Sequence, residues 1–454
     1  MTVVESEVLI LGAGLTGLSA AAAYGPGAVV VEQEDRPGGL VRTECFDGWW
    51  FDRVIHLLHL SDPATQAWVR ELLGDTLVAC PPQAWIDTAA GTVRYPFQLH
   101  LSGLEPAARE RCLADFAEAA RGPDPADAAH YAELLERAFG RGMCEEFFLP
   151  YNAKMWRRPL AGLAPSGFQW NLTRPSLAEV ERGACGTDGS ALAYNSNGWY
   201  PRPPAGSPVR GMEVLTSALA DRVCDLRTSH RVVRIDPARR SVWAEHEGRT
   251  VCFRYRRACV STIALPRTVE LCRDVPDPVR EDARRLVWNR VRSVALSVCG
   301  PRPRGTGHWR YYPDPRLPFT RLVFMTEFDP ATAPPHGWGL LAEVPERAEE
   351  RPGPDRDLAD AVWRAVAGTG VLPAGSRLAA SHVMTADPAY VVFTPQNRAA
   401  MERVRACLSA SGITPLGRYG HWEYSSMERA LSDGLHWGRS RRGTPLLSGR
   451  APAP

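Results

Sequence analysis

A glycine-rich turn near the N-terminus has the residue types and spacing needed to hold a pyrophosphate. It follows the apolar segment Val8–Leu11 and opens a segment of small, helix-forming residues. In such a turn Gly12 permits a tight reversal, Gly14 lets phosphates approach the backbone, and Gly17 lets a helix pack closely on a strand. Backbone N–H groups and the helix dipole attract the phosphate charge. The candidate phosphate-binding residues are Gly12, Gly14, Thr16 and Gly17.

An acidic residue and a second glycine pair indicate which dinucleotide binds. Glu32 lies 20 residues after Gly12, where a carboxylate would accept hydrogen bonds from ribose hydroxyls. The second pair, with a basic residue three positions after it, comprises Gly38, Gly39, Leu40 and Arg42. Such a pair suits a second approach to the same pyrophosphate, which an extended FAD needs and a small NAD-binding domain does not. The sequence therefore predicts FAD.

The elements that must position these residues begin with a strand, a turn, a helix and a second strand. The continuous apolar segment Val8–Leu11 is typical of a parallel strand buried on both faces, Leu18–Ala23 predicts a helix, and Ala28–Glu32 predicts the next strand. This order is the βαβ unit of a dinucleotide-binding fold. Later segments are helical over residues 101–150 and strand-like over 231–262 and 293–344.

Composition excludes several classes of function. The 454 residues include 53 Lys and Arg against 51 Asp and Glu, whereas nucleic-acid-binding proteins are usually strongly basic. The 11 cysteines form no Cys-x-x-Cys pair, which predicts free thiols in a reducing compartment and no metal site. The N-terminus lacks the features of a signal peptide, and glycines interrupt its apolar stretch. We therefore expect a cytoplasmic protein without nucleic-acid or membrane partners, and the oligomeric state stays open.

The two glycine motifs resemble those of a flavoprotein superfamily that includes amine oxidases, protoporphyrinogen oxidases and UDP-galactopyranose mutases. The resemblance implies a discontinuous FAD domain. The strand Arg231–Ile235, with Val233, would lie near the adenosine, and Val260–Thr262 would return to the glycine-rich strand. A C-terminal helix cap under the pyrimidine end of the flavin would comprise Gly417, Arg418 and Met427.

The predicted fold is α/β, with a Rossmann-like discontinuous FAD-binding domain, a mainly helical substrate domain and a mixed β-sheet domain. The FAD domain takes residues 1–95, 208–265 and 395–438. The helical domain with its flap takes 96–207, and the β-sheet domain takes 266–394. Residues 439–454, rich in Arg, Pro and Gly, are expected to be a disordered tail.

A six-residue run narrows the resemblance. It reads Tyr-Asn-Ala-Lys-Met-Trp over residues 151–156 and contains Lys154, the one lysine among the 53 Lys and Arg residues. This run closely resembles the eukaryotic-type UDP-galactopyranose mutases, and matching segments occur in the same order up to about residue 435; they are Tyr95–Gln98, Trp170–Arg174, Trp309–Arg321 and Gly417–Tyr424. Chance placement of the lysine is the alternative, but a compact, mobile ammonium is a charge that a rigid guanidinium does not replace.

The resemblance implies a site for a nucleotide-diphosphate sugar. Arg174 and Arg321 would bind the diphosphate because planar guanidinium forks match phosphate oxygens. Hydroxyl donors to the phosphates would be Tyr311, Tyr390 and Tyr424. Tyr95 and Phe147 would be the aromatic uridine set, and Gln98 would be a further substrate-binding residue. The two aromatic residues of that uridine set also fit a plain core role.

Other residues would lie close to the sugar and the flavin. The resemblance places Asn152, Lys154 and Trp156 beside both, and His56 beside the flavin ring. A lone histidine among apolar residues also fits a satisfied structural group, and His59 has no matching position. Either Asn195 or Asn197 would belong to a mobile flap.

The activity implied is a pyranose–furanose mutase reaction on a nucleotide sugar. In that family the N5 atom of reduced FAD attacks the anomeric carbon and expels the nucleoside diphosphate, which gives a covalent flavin–sugar adduct. The sugar then opens, recloses through a different hydroxyl and recaptures the diphosphate. NAD(P)H is the implied reductant.

Several positions depart from the family pattern. Val54 and Ile55 replace two glycines before His56, and side chains there would narrow the pocket or alter the loop. Phe328 stands where a phosphate-binding tyrosine is expected, and the polar pair after Tyr424 is Glu428 and Arg429. We therefore predict a sugar other than galactose, such as a deoxygenated or aminated one.

Two other functions stay open from the sequence. An oxidase or desaturase of the amine-oxidase type would oxidise a small metabolite stoichiometrically while its flavin is reduced. A non-catalytic FAD-binding protein would turn over no nucleotide sugar. The discriminating feature is the 151–156 run with Arg174 and Arg321, which an amine oxidase does not require.

Overall fold

The computed structural model describes residues 2–165, 174–187 and 197–442. Within them the strands form two large sheets and two short pairs. The strands are β1 Thr2–Leu11, β2 Ala28–Val31, β3 Thr43–Phe46, β4 Trp49–Asp52, β5 Leu77–Ala79, β6 Ala84–Thr88, β7 Gly91–Arg94, β8 Trp199–Pro201, β9 Asp225–Arg227, β10 Arg231–Asp236, β11 Ser241–His246, β12 Arg249–Ser261, β13 Val287–Cys299, β14 Trp309–Tyr311, β15 Arg321–Phe324, β16 Gly337–Arg347, β17 Arg377–Val392 and β18 Ile413–Pro415.

The α-helices pack on the sheet that carries the glycine-rich turn, and they also form a separate helical layer. They are α1 Leu15–Tyr24, α2 Pro63–Leu73, α3 Pro106–Ala119, α4 Tyr131–Met143, α5 Leu149–Trp156, α6 Leu177–Ala184, α7 Glu213–Ala220, α8 Leu265–Leu271, α9 Asp277–Arg284, α10 Met325–Phe328, α11 Asp355–Ala367, α12 Asn397–Ala410, α13 Gly417–Gly420 and α14 Met427–Arg441. A π-helical turn, Cys144–Phe148, joins α4 to α5. The helical prediction for residues 101–150 is confirmed.

The first large sheet carries the glycine-rich turn. Its order is β10-β11-β12-β1-β2-β9, with β18 beside β12. The buried residues Val8–Leu11 pair in parallel with Ala28–Val31 on one side and with Ala258–Ser261 on the other. The predicted βαβ unit, and the return of a later segment to the glycine-rich strand, are both confirmed.

The second large sheet has the order β17-β13-β16-β15-β14-β6-β7. Tyr311, the last residue of β14, lies opposite Arg321, the first residue of β15. Strands β6 and β7 fall within the segment 1–95 that was predicted for the FAD domain. They belong instead to this second sheet, because β6 pairs in parallel with β14.

The last helix packs against the first at backbone distance. A Cβ atom added at Gly434 or Gly438 would lie 2.4 or 2.5 Å from the carbonyl oxygens of Thr16 and Ala20. Helix α14 continues to Arg441, past residue 439 where the tail was predicted to begin. Residues 443–454 lie outside the described part of the chain, so their predicted disorder stays a prediction.

The described residues show no membrane-spanning helix, no cluster of metal ligands and no disulfide. Within the described residues, every helix is too short or too polar to cross a membrane. The same residues contain no group of three or more His, Cys, Asp or Glu side chains that could hold a metal ion. All 11 cysteines lie in the described part and are free thiols.

Candidate functional site

A cavity of about 870 Å³ is lined by residues of both large sheets. One part of its wall is the glycine-rich turn and the strand ends beside it. Another part is a group of arginine and tyrosine side chains that we call the arginine–tyrosine cluster: Arg321, Arg418, Tyr95, Tyr311, Tyr390 and Tyr424. The predicted cofactor and substrate residues therefore meet in one cavity.

The glycine-rich turn has the backbone geometry expected of a phosphate site. Gly12 has a φ of +102°, which side chains rarely tolerate, and a Cβ at Gly17 would lie 1.9 Å from the Gly12 carbonyl oxygen. Helix α1 begins after Gly14 with no side-chain cap and no acidic residue in its first turn. Its first N–H groups are thus free of capping side chains, which suits an anionic ligand.

Open space lies beside this turn where an FAD pyrophosphate would fit. A Cβ placed at Gly14 would meet no described atom within 4 Å, and one at Gly39 would meet only the Gly14 backbone at 3.5 Å. Both glycines line the cavity, as do Thr16, Gly38 and Leu40. Glu32 also lines it, and its carboxylate accepts hydrogen bonds from the N–H groups of Ala13 (2.7 Å) and Glu34 (2.9 Å). These residues would hold the pyrophosphate and ribose of FAD.

Two predicted cofactor residues lie behind this wall. Arg42 forms ion pairs with Glu34 and Asp35 and does not line the cavity. At the adenosine end, Val232 lines the cavity and Val233 does not; neighbouring residues of a strand point to opposite faces. The prediction of Val233 is thus shifted by one residue, and His230 lines the wall beside it.

Arg321 is held by a buried carboxylate that the sequence analysis missed. Its Nε atom pairs with Oε2 of Glu343, whose side chain is 2% exposed. The other oxygen of Glu343 accepts a hydrogen bond from the Ile55 N–H (2.7 Å), and Arg321 Nη2 donates to the Tyr390 hydroxyl (3.2 Å). Burial alone would lower the pKa of Arg321, but the Glu343 carboxylate and the neighbouring tyrosines together outweigh it and raise the pKa. The guanidinium is therefore charged and fixed.

Three tyrosines of the cluster, Tyr311, Tyr390 and Tyr424, are neutral hydrogen-bond donors. The ring centroids of Tyr95 and Tyr311 are 5.4 Å apart, and those of Tyr390 and Tyr424 are 5.7 Å apart. Burial raises the pKa of Tyr311, Tyr390 and Tyr424. Their hydroxyl groups therefore stay protonated and can donate hydrogen bonds to an anionic ligand.

Arg418 and His56 complete this part of the wall. Arg418 donates to the carbonyl oxygens of Ser425 (2.6 Å) and Ala389 (2.9 Å), and its guanidinium lies 4.8 Å from the Tyr424 ring. Burial, followed by the charges of Arg418 and Arg321, lowers the pKa of His56 to about 3. His56 is therefore neutral, and within the described structure its buried Nδ1 has no hydrogen-bond partner. The cluster presents two cations, neutral hydroxyls and a neutral imidazole.

Comparison with known proteins assigns this chain to a protein family. The sequence profile of the flavin containing amine oxidoreductases matches residues 15–434. The chain belongs to this family. Family membership supports FAD as the cofactor, in agreement with the open cradle at Gly14, and makes the protein a member of a flavin-dependent enzyme superfamily.

Solved structures of this amine oxidoreductase fold include a mutase and oxidases. A reduced UDP-galactopyranose mutase superposes with a TM-score of 0.86 at 20% identity, covering 95% of this chain and 94% of that one. A putative protoporphyrinogen oxidase from Exiguobacterium sp. 255-15 gives 0.67 at 17% identity, covering 96% and 98%. Putrescine oxidase bound to putrescine gives 0.63 at 14% identity, covering 96% and 99%. At these identities the likeness establishes the fold.

In this flavoprotein the 151–156 run lies behind the cavity wall. The Asn152 side-chain oxygen accepts from Tyr131 (3.1 Å) and from the Trp156 indole (3.2 Å), and its amide donates to the Phe148 carbonyl (2.8 Å). The Trp156 ring centroid is 6.0 Å from those of Tyr390 and of Tyr424. Asn152 and Trp156 therefore support the cluster from outside and do not line the cavity.

Lys154 also differs from its predicted place beside the sugar and flavin. Its ammonium donates to three backbone carbonyls, those of Tyr312, Asp314 and Phe319, each at 2.7 Å. All three of its protons are thus used within the protein, and it does not line the cavity. The structure corrects the expectation that this charge faces the substrate.

Four further predicted residues do not line the cavity. Phe147 is buried and stacks on Phe97 with centroids 5.3 Å apart, which fits the core alternative. Gln98 is buried, Gly417 contacts Thr16, and Arg174 is exposed next to residues 166–173, which lie outside the described part. Among described residues lining the cavity, none of these four appears, whereas the predicted Met427 does.

The predicted flap has one residue inside the described part and one outside. Asn195 lies outside the described residues. Asn197 is exposed, and its carbonyl oxygen lies 2.6 Å from Nδ1 of His59. His59 lines the cavity although no sequence match supported it. The flap itself stays a prediction.

The positions that depart from the mutase pattern differ in whether they line the cavity. Val54 and Ile55 both line the cavity, and neither has a positive φ, so glycine is not required there. Phe328 is buried against Tyr200 and Trp309 and lies outside the wall. The Glu428 carboxylate accepts from the hydroxyl of Ser61 (2.7 Å), which holds a loop to α14. Of these altered residues, Val54 and Ile55 therefore reach the cavity, whereas Phe328 and Glu428 do not.

Proposed function

We propose that this protein is a flavin-dependent mutase that interconverts the pyranose and furanose forms of a nucleotide-diphosphate sugar. The observation that carries the proposal is the arginine–tyrosine cluster in the same cavity as the FAD turn. Two guanidiniums and several protonated phenols suit a diphosphate that leaves the sugar and returns to it. FAD, when bound and reduced, would supply the nucleophile toward the anomeric carbon.

The chain's own residues would hold the leaving group. Arg321 has its Nε edge occupied by Glu343, which leaves its terminal nitrogens for Tyr390 and a ligand. Neutral His56 adds no charge that would compete with the guanidiniums for the diphosphate. Because the bond broken and the bond re-formed both join the anomeric carbon to a phosphate oxygen, no net oxidation occurs.

The sugar is proposed to differ from galactose. Val54 and Ile55 add apolar side chains to the cavity wall where mutases of this type are expected to have glycines. Such a wall favours a sugar face that lacks a hydroxyl, since an unpaired buried hydroxyl is costly. A deoxygenated or aminated nucleotide sugar fits this environment.

The alternative function is an oxidase or desaturase of the amine-oxidase type acting on a small metabolite. The family and the putrescine oxidase likeness favour it. Against an amine substrate, both ionised side chains of the arginine–tyrosine cluster are cations. Among the described residues, the one carboxylate within ion-pair distance of them is Glu343, which is already paired with Arg321. A cationic amine would be repelled there.

One experiment separates these functions. Dithionite-reduced protein is incubated with UDP-, dTDP- and GDP-sugars, and the pyranose and furanose forms are resolved by chromatography while the flavin absorbance is followed. We expect furanose product with no flavin oxidation, and none from the oxidised protein. Arg321→Gln should abolish turnover, while Arg310→Gln, whose native side chain pairs with Asp87 on the neighbouring strand, should keep it. No isomer from any sugar, with flavin reduced by an amine, would overturn the mutase proposal.

A further inference from the structure

The loop between Tyr311 and Arg321 is short of its own hydrogen-bond donors. It reads Tyr-Pro-Asp-Pro-Arg-Leu-Pro-Phe-Thr over residues 312–320, so three of its nine residues are prolines without an N–H group. Every residue still carries a carbonyl acceptor. Acceptors therefore outnumber donors in the segment that separates two members of the arginine–tyrosine cluster.

Lys154 supplies the missing donors from another element. Its ammonium reaches the carbonyls of Tyr312, Asp314 and Phe319, each at 2.7 Å. These three carbonyls span almost the whole loop, from its first residue to its last but one. One charged group thus holds three points of the chain between Tyr311 and Arg321, in addition to the hydrogen bond from the Tyr312 N–H to the Thr320 carbonyl (2.9 Å).

An arginine does not have the shape for this task. An ammonium places three donors around a single nitrogen atom, whereas a guanidinium spreads five over a rigid plane. Three carbonyls that converge on one point match only the first. A chain with one lysine among 53 Lys and Arg residues keeps that lysine at this place.

The helix that carries Lys154 also supports the other side of the cluster. Tyr151 of α5 packs its ring 5.3 Å from that of Tyr311, and Trp156 lies against Tyr390 and Tyr424. The helix is thereby joined to both walls, and Lys154 is its polar attachment to the wall that bears Arg321.

We infer that Lys154 is a positioning residue, whose ammonium fixes the 312–320 loop and thereby aligns Tyr311 and Arg321 for a nucleoside diphosphate. The choice of ligand rests on the proposed function, whereas the fixing of the loop does not. Lys154 itself makes no contact with the ligand site.

The test combines hydrogen–deuterium exchange of the loop with calorimetric binding of UDP, on the FAD-loaded protein. In Lys154→Met we expect the 312–320 amides to exchange at least tenfold faster and UDP to bind at least tenfold more weakly, with FAD content and other segments unchanged. Lys154→Arg should restore less than half of the protection, because its donors do not converge. Arg157→Gln removes an exposed cation of the same region and should leave both readouts at the wild-type value.

Each failure has its own meaning. Unchanged loop exchange in Lys154→Met would overturn the inference, as would full rescue by arginine. Faster exchange throughout the protein would also overturn it, since that result assigns Lys154 to general stability; if the methionine variant does not fold, Lys154→Arg alone gives the loop readout. Failure of the wild-type protein to bind UDP would count against the proposed function, while the loop measurement still decides the role of Lys154.

Discussion

At the residue scale, the arginines that line the cavity differ in how their charge is balanced. Arg53, Arg231, Arg267 and Arg321 each pair with a glutamate. Among the described arginines of the wall, Arg418 alone has no carboxylate within ion-pair distance, and its donors go to backbone carbonyls. A partly buried cation without a carboxylate partner favours an anion nearby.

This imbalance predicts an effect of Arg418 on the bound flavin. Arg418→Gln should lower the reduction potential of FAD by about 30 mV or more, which for a two-electron couple corresponds to about tenfold in the equilibrium constant. The reason is that the guanidinium, which lines the cavity, would stabilise the negative charge of a reduced flavin bound there. The potential is measured by equilibration with a reference dye.

A matched variant separates this effect from a general loss of charge. Arg267→Gln removes a cation that lines the same cavity but is paired with Glu270. Its potential should stay at the wild-type value. An unchanged potential in Arg418→Gln, together with weaker UDP binding, would instead assign Arg418 to the phosphates.

At the scale of elements, the turn between β1 and α1 contains two glycines that serve different purposes. A Cβ at Gly17 would overlap the Gly12 carbonyl oxygen, so this glycine lets the helix pack on the strand. A Cβ at Gly14 would enter empty space on the cavity side. Gly17 is therefore needed by the fold, and Gly14 is needed by the ligand.

This difference predicts opposite results for two alanine variants. Gly14→Ala should weaken FAD binding about tenfold or more, about 1.4 kcal/mol, yet leave the free energy of unfolding of the FAD-free protein unchanged or raised by up to about 1 kcal/mol. Gly17→Ala should lower that free energy, because atoms must shift. Urea unfolding and FAD titration measure the two quantities. Normal FAD affinity in Gly14→Ala would contradict the proposed position of the pyrophosphate.

At the scale of the whole molecule, buried titratable groups make stability depend on pH. Burial lowers the pKa of His56 to about 3 and that of His308 to about 4. Since an unfolded histidine binds a proton near pH 6.5, the unfolded state gains protons first on acidification. Stability from these groups is present above pH 6.5 and is lost as the pH falls toward the folded pKa. Asp52 acts oppositely between pH 6 and 4, because burial raises its pKa to about 6.

A single substitution isolates one of these contributions. Between pH 7 and pH 5, wild-type protein should lose about 2 kcal/mol more unfolding free energy than His56→Gln, from about 1.4 kcal/mol per pH unit below 6.5. Asp52 and His308 are present in both proteins and cancel in the comparison. Urea unfolding at the two pH values gives the difference. Equal losses in both proteins would mean that His56 is protonated in the folded state.

The glycine-rich turn and Glu32 were predicted well because their signals are local, whereas the predicted cofactor residues Arg42, Val233 and Gly417 do not line the cavity. The turn at residues 12–17, the strand before it and Glu32 lie within about one βαβ unit, and each keeps its expected position. The substrate half was predicted less evenly. Arg321 and the tyrosines line the cavity, whereas Asn152, Lys154 and Trp156 support it from behind.

The missed residue Glu343 shows what kind of signal was available. It is the single carboxylate in the buried part of strand β16, residues 337–345, where burial without a partner would be costly. That pattern predicts a buried basic partner for the carboxylate, but it does not indicate which arginine the partner is. Arg321 is 22 positions away along the chain and becomes its partner only through the pairing of β15 with β16.

The sequence by itself determined the cofactor-binding βαβ unit, since glycine spacing and a continuous apolar strand specify backbone shape through neighbouring residues alone. Only the tertiary structure decided what the conspicuous lysine does. Its three acceptors lie 158 to 165 residues away, and a carbonyl group has no residue type by which a sequence could mark it. Which charged group meets which partner is set by the packing of α5 against the second sheet.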